Sequence, residues 1–216
     1  MGNALKQQFP NGFFVSAESE AAIALQSEKL IKMDIVYAPV HHSPPNVGFG
    51  PGCQALGGVF MGALYTVTNQ PEIFSNNVGV VINCTHDLSA YPAYHTATRR
   101  MKEKLGITFA RLVWADSDVQ KLEAGDVKGA VGFIHETRAK GISVLVHCVM
   151  GVSRSATLVV AYMVATTKMS VDECLAELRG KRESTNPNDG FISQLKEMEA
   201  ELKAMELAPL SAQQKK

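Results

Sequence analysis

The chain has 216 residues, 46% of them hydrophobic, and its 21 basic residues are balanced by 21 acidic residues. This length and hydrophobic fraction suit one sizeable globular domain with some chain to spare. The neutral balance argues against a general nucleic-acid binder, because such proteins usually carry a net basic field.

The first 50 residues differ from the rest of the chain. Residues 40–52 are rich in proline and glycine, which predicts irregular structure, whereas residues 16–33 have the apolar spacing of a helix. We therefore predict a partly irregular N-terminal extension over residues 1–50. A compact domain is predicted over residues 51–203, and residues 204–216 are expected to form a C-terminal tail.

Strand and helix patterns alternate through the compact domain. Short apolar runs predict strands at residues 57–62, 78–85, 107–115 and 142–148. Helical spacing predicts helices at residues 95–106, 126–141, 156–165, 170–180 and 190–205. The alternation predicts an α/β fold, a single domain in which helices flank a central, mostly parallel sheet.

The segment VHCVMGVSRSAT, residues 146–157, is the strongest chemical signal. It joins a predicted buried strand to a predicted buried helix through a tight loop, where successive backbone N–H groups can converge on an anion. The helix N-terminus and the planar guanidinium of Arg154 favour a phosphate there, and these positive surroundings also stabilise the thiolate of Cys148. The loop therefore predicts a phosphate site with its own nucleophile. A Walker loop is excluded, because no Gly-Lys-Ser/Thr sequence follows.

Two acids, Asp116 and Asp118, follow the predicted strand at residues 107–115. Taken alone, they indicate a strand end and a helix cap. A phosphate ester, however, loses its alcohol or phenol more readily when a proton donor lies close to the departing oxygen. Asp116 directly ends the predicted strand, where its side chain can lean over the phosphate loop, while Asp118 is better placed to cap or precede the next helix.

The loop resembles the HCxxGxxRS signature of cysteine-dependent dual-specificity protein phosphatases. The likeness extends from the GVFMG strand to the segment NPNDGFISQL at residues 186–195. It implies the dual-specificity phosphatase fold, a phosphoprotein substrate and no cofactor. The implied reaction is hydrolysis of phosphotyrosine and of phosphoserine or phosphothreonine through a cysteinyl-phosphate intermediate.

The resemblance also implies roles for individual residues. Cys148 is the nucleophile, Asp116 is the general acid, Ser155 hydrogen-bonds the departing thiolate, and His147 supports the loop from behind. The phosphate oxygens are bound by Arg154 and by the backbone N–H groups of the loop, at Val149, Met150, Gly151, Val152, Ser153 and Arg154. Some relatives pair a cysteine from the region of Cys84 with the nucleophile under oxidation, which makes Cys84 a candidate redox partner. The alternative for Cys84 is an ordinary buried strand residue.

Two other functions stay open. The first is a phosphatase of a phosphoinositide, a sugar phosphate or an RNA 5′-phosphate, although the loop lacks the basic residues with which phosphoinositide phosphatases often bind extra phosphates. The second is a non-catalytic phosphopeptide-binding pseudophosphatase, which would need a lost cysteine, arginine or aspartate, and all three are present. Met150 stands where the family commonly has a small residue, and its bulk could alter the pocket floor or the choice of substrate.

The remaining expectations concern metal, location and assembly. The cysteines Cys53, Cys84, Cys148 and Cys174 are irregularly spaced and form neither a metal-ligand pattern nor a disulfide framework. This cysteine pattern predicts a protein without a metal site. Together with the absence of a secretory signal and of a membrane-spanning run in the sequence, it predicts a cytoplasmic location, and a nuclear location stays open as well. The N-terminal sequence Met1-Gly2-Asn3 makes Gly2 a candidate for N-myristoylation, although Lys6 stands where the motif has serine or threonine. We expect a monomer, because the apolar stripe of the last helix is too short for a coiled coil.

Overall fold

The computed structural model of the chain describes residues 7–8, 14–15, 33–37, 56–89 and 91–210. The predicted irregular segment at residues 40–52, nearly all of the predicted helix at residues 16–33, Gly2 and Cys53 lie outside these described residues.

One mixed sheet organises the fold. Its strands are β1 (Gln7–Gln8), β2 (Phe14–Val15), β3 (Asp34–Tyr37), β4 (Val59–Gly62), β5 (Val78–Asn83), β6 (Thr108–Arg111) and β7 (Ser143–His147). The order is β1-β2-β6-β5-β7-β4-β3, and the central pairings β6–β5, β5–β7 and β7–β4 are parallel. The predicted α/β fold with a central, mostly parallel sheet is confirmed.

Helices cover both faces of the sheet. They are α1 (Gln70–Ser75), α2 (Pro92–Leu105), α3 (Ala124–Ala139), α4 (Arg154–Thr167), α5 (Val171–Lys181) and α6 (Asp189–Lys203), with a 3₁₀ helix at Leu64–Thr68. Successive residues of β7 point to opposite faces, so Val144 and Val146 pack in one core with α3 to α6. Leu145 packs in a second core with the 3₁₀ helix, α1 and α2. No helix in the described ranges is long and apolar enough to cross a membrane.

Residues from the predicted N-terminal extension pair with both edges of the parallel strands. β2 pairs antiparallel with β6, and β3 pairs antiparallel with β4. At the β3 edge Met33 and Val36 are buried, and the Met33 N–H donates to the Glu72 carboxylate at 3.3 Å. Part of the extension thus contributes to the sheet and the core, while the boundary predicted at residue 51 stays a prediction.

Strand β6 is shorter than predicted. The strand was expected to run to Ala115, but β6 ends at Arg111, the residue paired with the last residue of β5, Asn83. Beyond Arg111 the chain makes two more backbone bonds, to the end of β5 and to the residues that follow it. The Leu112 N–H donates to the Asn83 carbonyl and the His86 N–H donates to the Trp114 carbonyl, each at 2.8 Å, before the chain leaves the sheet. Asp116 therefore lies in a loop and does not directly end the strand.

Candidate active site

The signature loop, residues 148–154, leaves the carboxyl end of β7 and finishes at the first residue of α4. Gly151 has φ +66°, a left-handed conformation that glycine adopts without strain. A Cβ atom there would lie 2.6 Å from the backbone C and O atoms of Gly62, at the end of β4. The loop is therefore packed backbone to backbone against β4, and only glycine fits.

We expect Gly151→Ala to lower the free energy of unfolding by about 3 kcal/mol. Left-handed strain contributes about 1–2 kcal/mol and the close contact with Gly62 about 1–3 kcal/mol. Gly132→Ala is the matched control: a Cβ atom there, in the middle of α3, meets nothing within 4 Å, so it should raise stability by up to about 1 kcal/mol. Denaturant unfolding measures both, and an unchanged midpoint for Gly151→Ala would contradict the packing argument.

The sulfur of Cys148 lies inside this loop. The residue is buried, the Gly151 N–H donates to Sγ at 3.2 Å, and Ser155 Oγ lies 3.3 Å from Sγ. A backbone N–H and a hydroxyl are therefore both directed at the sulfur. The structure brings Ser155 to Cys148, as expected from the sequence.

The loop carbonyls are bound from outside the loop. The carbonyls of Val149 and Val152 accept from the N–H groups of Leu64 at 3.0 Å and Asn186 at 2.9 Å. Arg182, which sequence analysis missed, donates from Nε to the Gly151 carbonyl at 2.9 Å and from Nη2 to the Met150 carbonyl at 3.4 Å. These bonds hold the carbonyls away from the loop centre, which favours N–H groups turned inward.

Arg154 and Asp116 lie together beside the loop. Arg154 begins α4, two residues before the predicted helix start, and is buried. Its Nε lies 3.3 Å from Asp116 Oδ2. The other carboxylate oxygen, Oδ1, accepts from Ser153 Oγ at 2.6 Å and from Asn188 Nδ2 at 3.3 Å. Of the two acids that follow β6, Asp116 is thus the one directed at the phosphate-binding residues.

Asp118 has a different position. Its side chain is exposed and makes no hydrogen bond or ion pair within the described part of the chain. The N-cap of α3 is Glu123, so Asp118 precedes the next helix, one of the two expected positions, and does not cap it. The physical reason is that α3 begins six residues after Asp118, at Ala124, with a loop between them.

His147 lies behind the loop, at the end of β7, and is fully buried. Burial lowers its pKa to about 4, so the ring is neutral near pH 7. Nδ1 lies 3.2 Å from the Cys148 carbonyl and Nε2 lies 3.1 Å from the Tyr94 hydroxyl. Since a carbonyl only accepts, Nδ1 carries the proton and the Tyr94 O–H donates to Nε2. Sequence analysis gave no role to Tyr94.

Met150 is the side chain of the loop that faces solvent most. It is 45% exposed, so it does not form a buried pocket floor and lies nearer the mouth of the site. Val149 and Val152 are partly buried. Because these side chains are apolar, the groups that the loop offers to an anion are its backbone N–H groups and the Arg154 guanidinium.

Comparisons with known proteins agree with this geometry. The model of the family described as "Dual specificity phosphatase, catalytic domain" matches residues 59–201. The chain is 38% identical over 142 residues to dual specificity protein phosphatase 22 of Xenopus laevis, covering 66% of this chain and 62% of that protein. It is also 38% identical over 144 residues to the human protein of that name, covering 67% and 71%.

Solved structures give the same fold. The human tyrosine phosphatase-like serine/threonine/tyrosine-interacting protein superposes with a TM-score of 0.57 at 25% identity, covering 68% of this chain and 93% of that chain. The match to the Xenopus laevis relative spans less than two thirds of that relative's length. The family match covers more than half of this chain and includes the whole signature loop, so the protein belongs to the dual specificity phosphatase catalytic domain family.

Proposed function

We propose that the protein is a metal-independent dual-specificity protein phosphatase. The observation that carries the proposal is the meeting of five groups at one loop. Cys148 Sγ lies beside Ser155 and the Gly151 N–H, while Arg154 and Asp116 lie in contact at the loop's end. The names of the Xenopus and human relatives support the same activity.

In the first step, the Cys148 thiolate attacks phosphorus, the S–P bond forms and the P–O bond to the alcohol or phenol breaks. The backbone N–H groups of the loop and the Arg154 guanidinium bind the phosphoryl oxygens as their charge shifts in the transition state. Asp116 gives its proton to the departing oxygen. Its contact with Arg154 Nε at 3.3 Å keeps the acid next to the phosphate-binding residue.

In the second step, water attacks the cysteinyl-phosphate, and the S–P bond breaks. Asp116, now a carboxylate, accepts the proton of the attacking water, as the reverse of its first role. Ser155 Oγ, at 3.3 Å from Sγ, donates to the thiolate as it leaves. Inorganic phosphate then departs and the starting state is restored.

A phosphoprotein substrate is supported by the signature loop. Its exposed and half-buried side chains, Val149, Met150 and Val152, carry no positive charge that would bind the additional phosphates of an inositol headgroup. Purified protein in excess chelator should release phosphate from phosphotyrosyl, phosphoseryl and phosphothreonyl peptides. Faster hydrolysis of phosphoinositide vesicles or of 5′-phosphorylated RNA would move the assignment to a non-protein substrate, and dependence on added metal would contradict the mechanism.

A non-catalytic phosphopeptide-binding function is the second candidate, because one solved structure with the same fold is named as a phosphatase-like interacting protein. Shared folds do not fix activity. In this chain, Cys148, Arg154 and Asp116 are all present and brought together. Phosphopeptide binding without phosphate release at several pH values would support the binding module and overturn the enzyme.

We also propose that Cys84 protects the nucleophile under oxidation. The register pairs Asn83 of β5 with His147 of β7, so Cys84 and Cys148 are neighbours at the ends of adjacent strands. Strands lie about 4.8 Å apart, within the Cα separation of about 4.4–6.8 Å that a disulfide requires. Burial raises the pKa of the Cys84 thiol, and the nearby Cys148 raises it further, so Cys84 is protonated at rest.

Mild peroxide is expected to convert Cys148 to a sulfenic acid, which the Cys84 sulfur then attacks, forming a disulfide and releasing water. In the wild-type protein, dithiothreitol should restore most activity after the treatment. Cys84→Ala should lose activity irreversibly, because the sulfenic acid is oxidised further. Peptide mapping decides the matter: peroxide-treated wild type without a Cys84–Cys148 cross-link would end the proposal.

A further inference from the structure

Helix α6 lies against the loop that carries Asp116. This loop, residues 115–122, is called the Asp116 loop. Asn188, the N-cap of α6, donates from Nδ2 to Asp116 Oδ1 at 3.3 Å. Gly190 allows backbone contact, because a Cβ atom there would lie 2.0 Å from the Asp118 carbonyl oxygen. The first turn of α6 thus touches the loop at two points.

Gln194, one turn further along α6, makes the firmest connection. Its amide oxygen accepts from the Leu122 N–H at 2.7 Å, and its amide nitrogen donates to the Gln120 carbonyl at 2.9 Å. The side chain of Gln120 in turn accepts from the Ala115 N–H at 2.9 Å. A continuous chain of hydrogen bonds therefore runs from α6 through Gln120 to the residue directly before Asp116.

The Asp116 loop has little apolar packing of its own in its middle. Leu122 at its end and Trp114 just before it are buried, at 4% and 3% exposure, but Val119 is 91% exposed. Between two anchored ends, the loop backbone is therefore held mainly by polar bonds. Loops without such bonds move more than the elements they connect.

We propose that Gln194 is a positioning residue for the acid step, one that fixes the Asp116 loop so that the carboxyl group meets the departing oxygen. The proposal rests on the proposed role of Asp116. A general acid works within about 2.6–3.2 Å of the oxygen that it protonates. A displacement of about 1 Å can cost about 10²-fold in rate, so a loop released from α6 should protonate poorly.

The test is kcat/KM across aryl phosphates, because that constant reports the steps up to loss of the leaving group. Gln194→Ala should lower kcat/KM about tenfold for phenyl phosphate, whose leaving group needs a proton, and less than about twofold for 2,4-dinitrophenyl phosphate. Gln194→Glu keeps the acceptor for Leu122 but lacks the donor to Gln120, so it should fall between. Ser193→Ala, on the exposed side of α6, is the matched control and should match wild type.

A double-mutant cycle separates this proposal from the one on which it rests. In an Asp116→Asn background, Gln194→Ala should change kcat/KM less than about twofold, because no acid is left to position. Equal losses for both aryl phosphates, no loss for phenyl phosphate, or full additivity with Asp116→Asn would overturn the positioning role. If Asp116→Asn left kcat/KM at the wild-type value, the assignment of the acid would be overturned instead. Thermal unfolding checks each variant, and Gln194→Glu carries the test if Gln194→Ala does not fold.

Discussion

Cys148→Ser is expected to remove turnover, lowering kcat/KM about 10⁵-fold or more, as when the nucleophile of a covalent mechanism is lost. A serine hydroxyl at this position is a far weaker nucleophile than a thiolate, and no base among the described residues contacts the side chain. The fold should persist, because the hydroxyl can still accept from the Gly151 N–H and contact Ser155 Oγ. Phosphate release from a phosphotyrosyl peptide measures the loss.

The control for Cys148→Ser is another buried cysteine. Cys174 lies on α5, fully buried, with a weak contact of 3.9 Å to Thr167 Oγ1, and Cys174→Ala should leave kcat/KM unchanged. Binding of the phosphopeptide to Cys148→Ser should persist, since the loop N–H groups and Arg154 remain. A loss of less than about 10²-fold, against the loss of about 10⁵-fold expected, would place the nucleophile elsewhere.

The parts of the site that sequence analysis predicted depend on local patterns. Strand β7 is a continuous apolar run, and the residues that follow it meet at one loop because they are neighbours in sequence. The loop joins the strand and helix as predicted, with Cys148 and Ser155 in contact. Helix α4 is two residues longer than predicted at each end, and the earlier start brings Arg154 into the first helical turn.

The parts that sequence analysis missed depend on contacts between distant segments. Asn188 and Gln194 reach the Asp116 loop across 72 and 74 residues of sequence, and Arg182 reaches Gly151 across 31. Each is a polar residue on a helix or at its end, where spacing alone indicates a solvated position. What each one contacts is set by the packing of α5 and α6 on the sheet, which periodicity does not specify.

The sheet edges show the same limit. The four residues of β3 have no sequence pattern that predicts which strand they pair with. In the structure, β3 pairs antiparallel with the edge of β4. Unpaired edges expose backbone groups, so a nearby segment with extended geometry is stabilised by covering them. Edge pairing is therefore decided by the assembled sheet, and sequence analysis left residues 1–50 as an extension.

Asp116→Asn should lower kcat/KM for phenyl phosphate by about 10²–10⁴-fold, the usual contribution of a general acid. The amide oxygen can still accept from Ser153 Oγ, so the loop should keep its place, but the side chain has no proton to give. Affinity for inorganic phosphate should stay the same or rise, because a negative charge beside Arg154 is removed. For 2,4-dinitrophenyl phosphate the loss should shrink, because its leaving group departs without protonation.

Asp118→Asn is the matched control, since both acids lie in the same loop and undergo the same chemical change. The Asp118 side chain is exposed and contacts no described partner, while its backbone carbonyl lies against Gly190. Turnover should be unchanged, and stability should stay within about 0.5 kcal/mol of wild type, as is usual for exposed sites. If the two variants behaved the other way round, the acid would be Asp118. The loop would then have to turn so that Asp118 replaced Asp116 beside Arg154, which would break the contacts of Asp116 with Ser153 and Asn188.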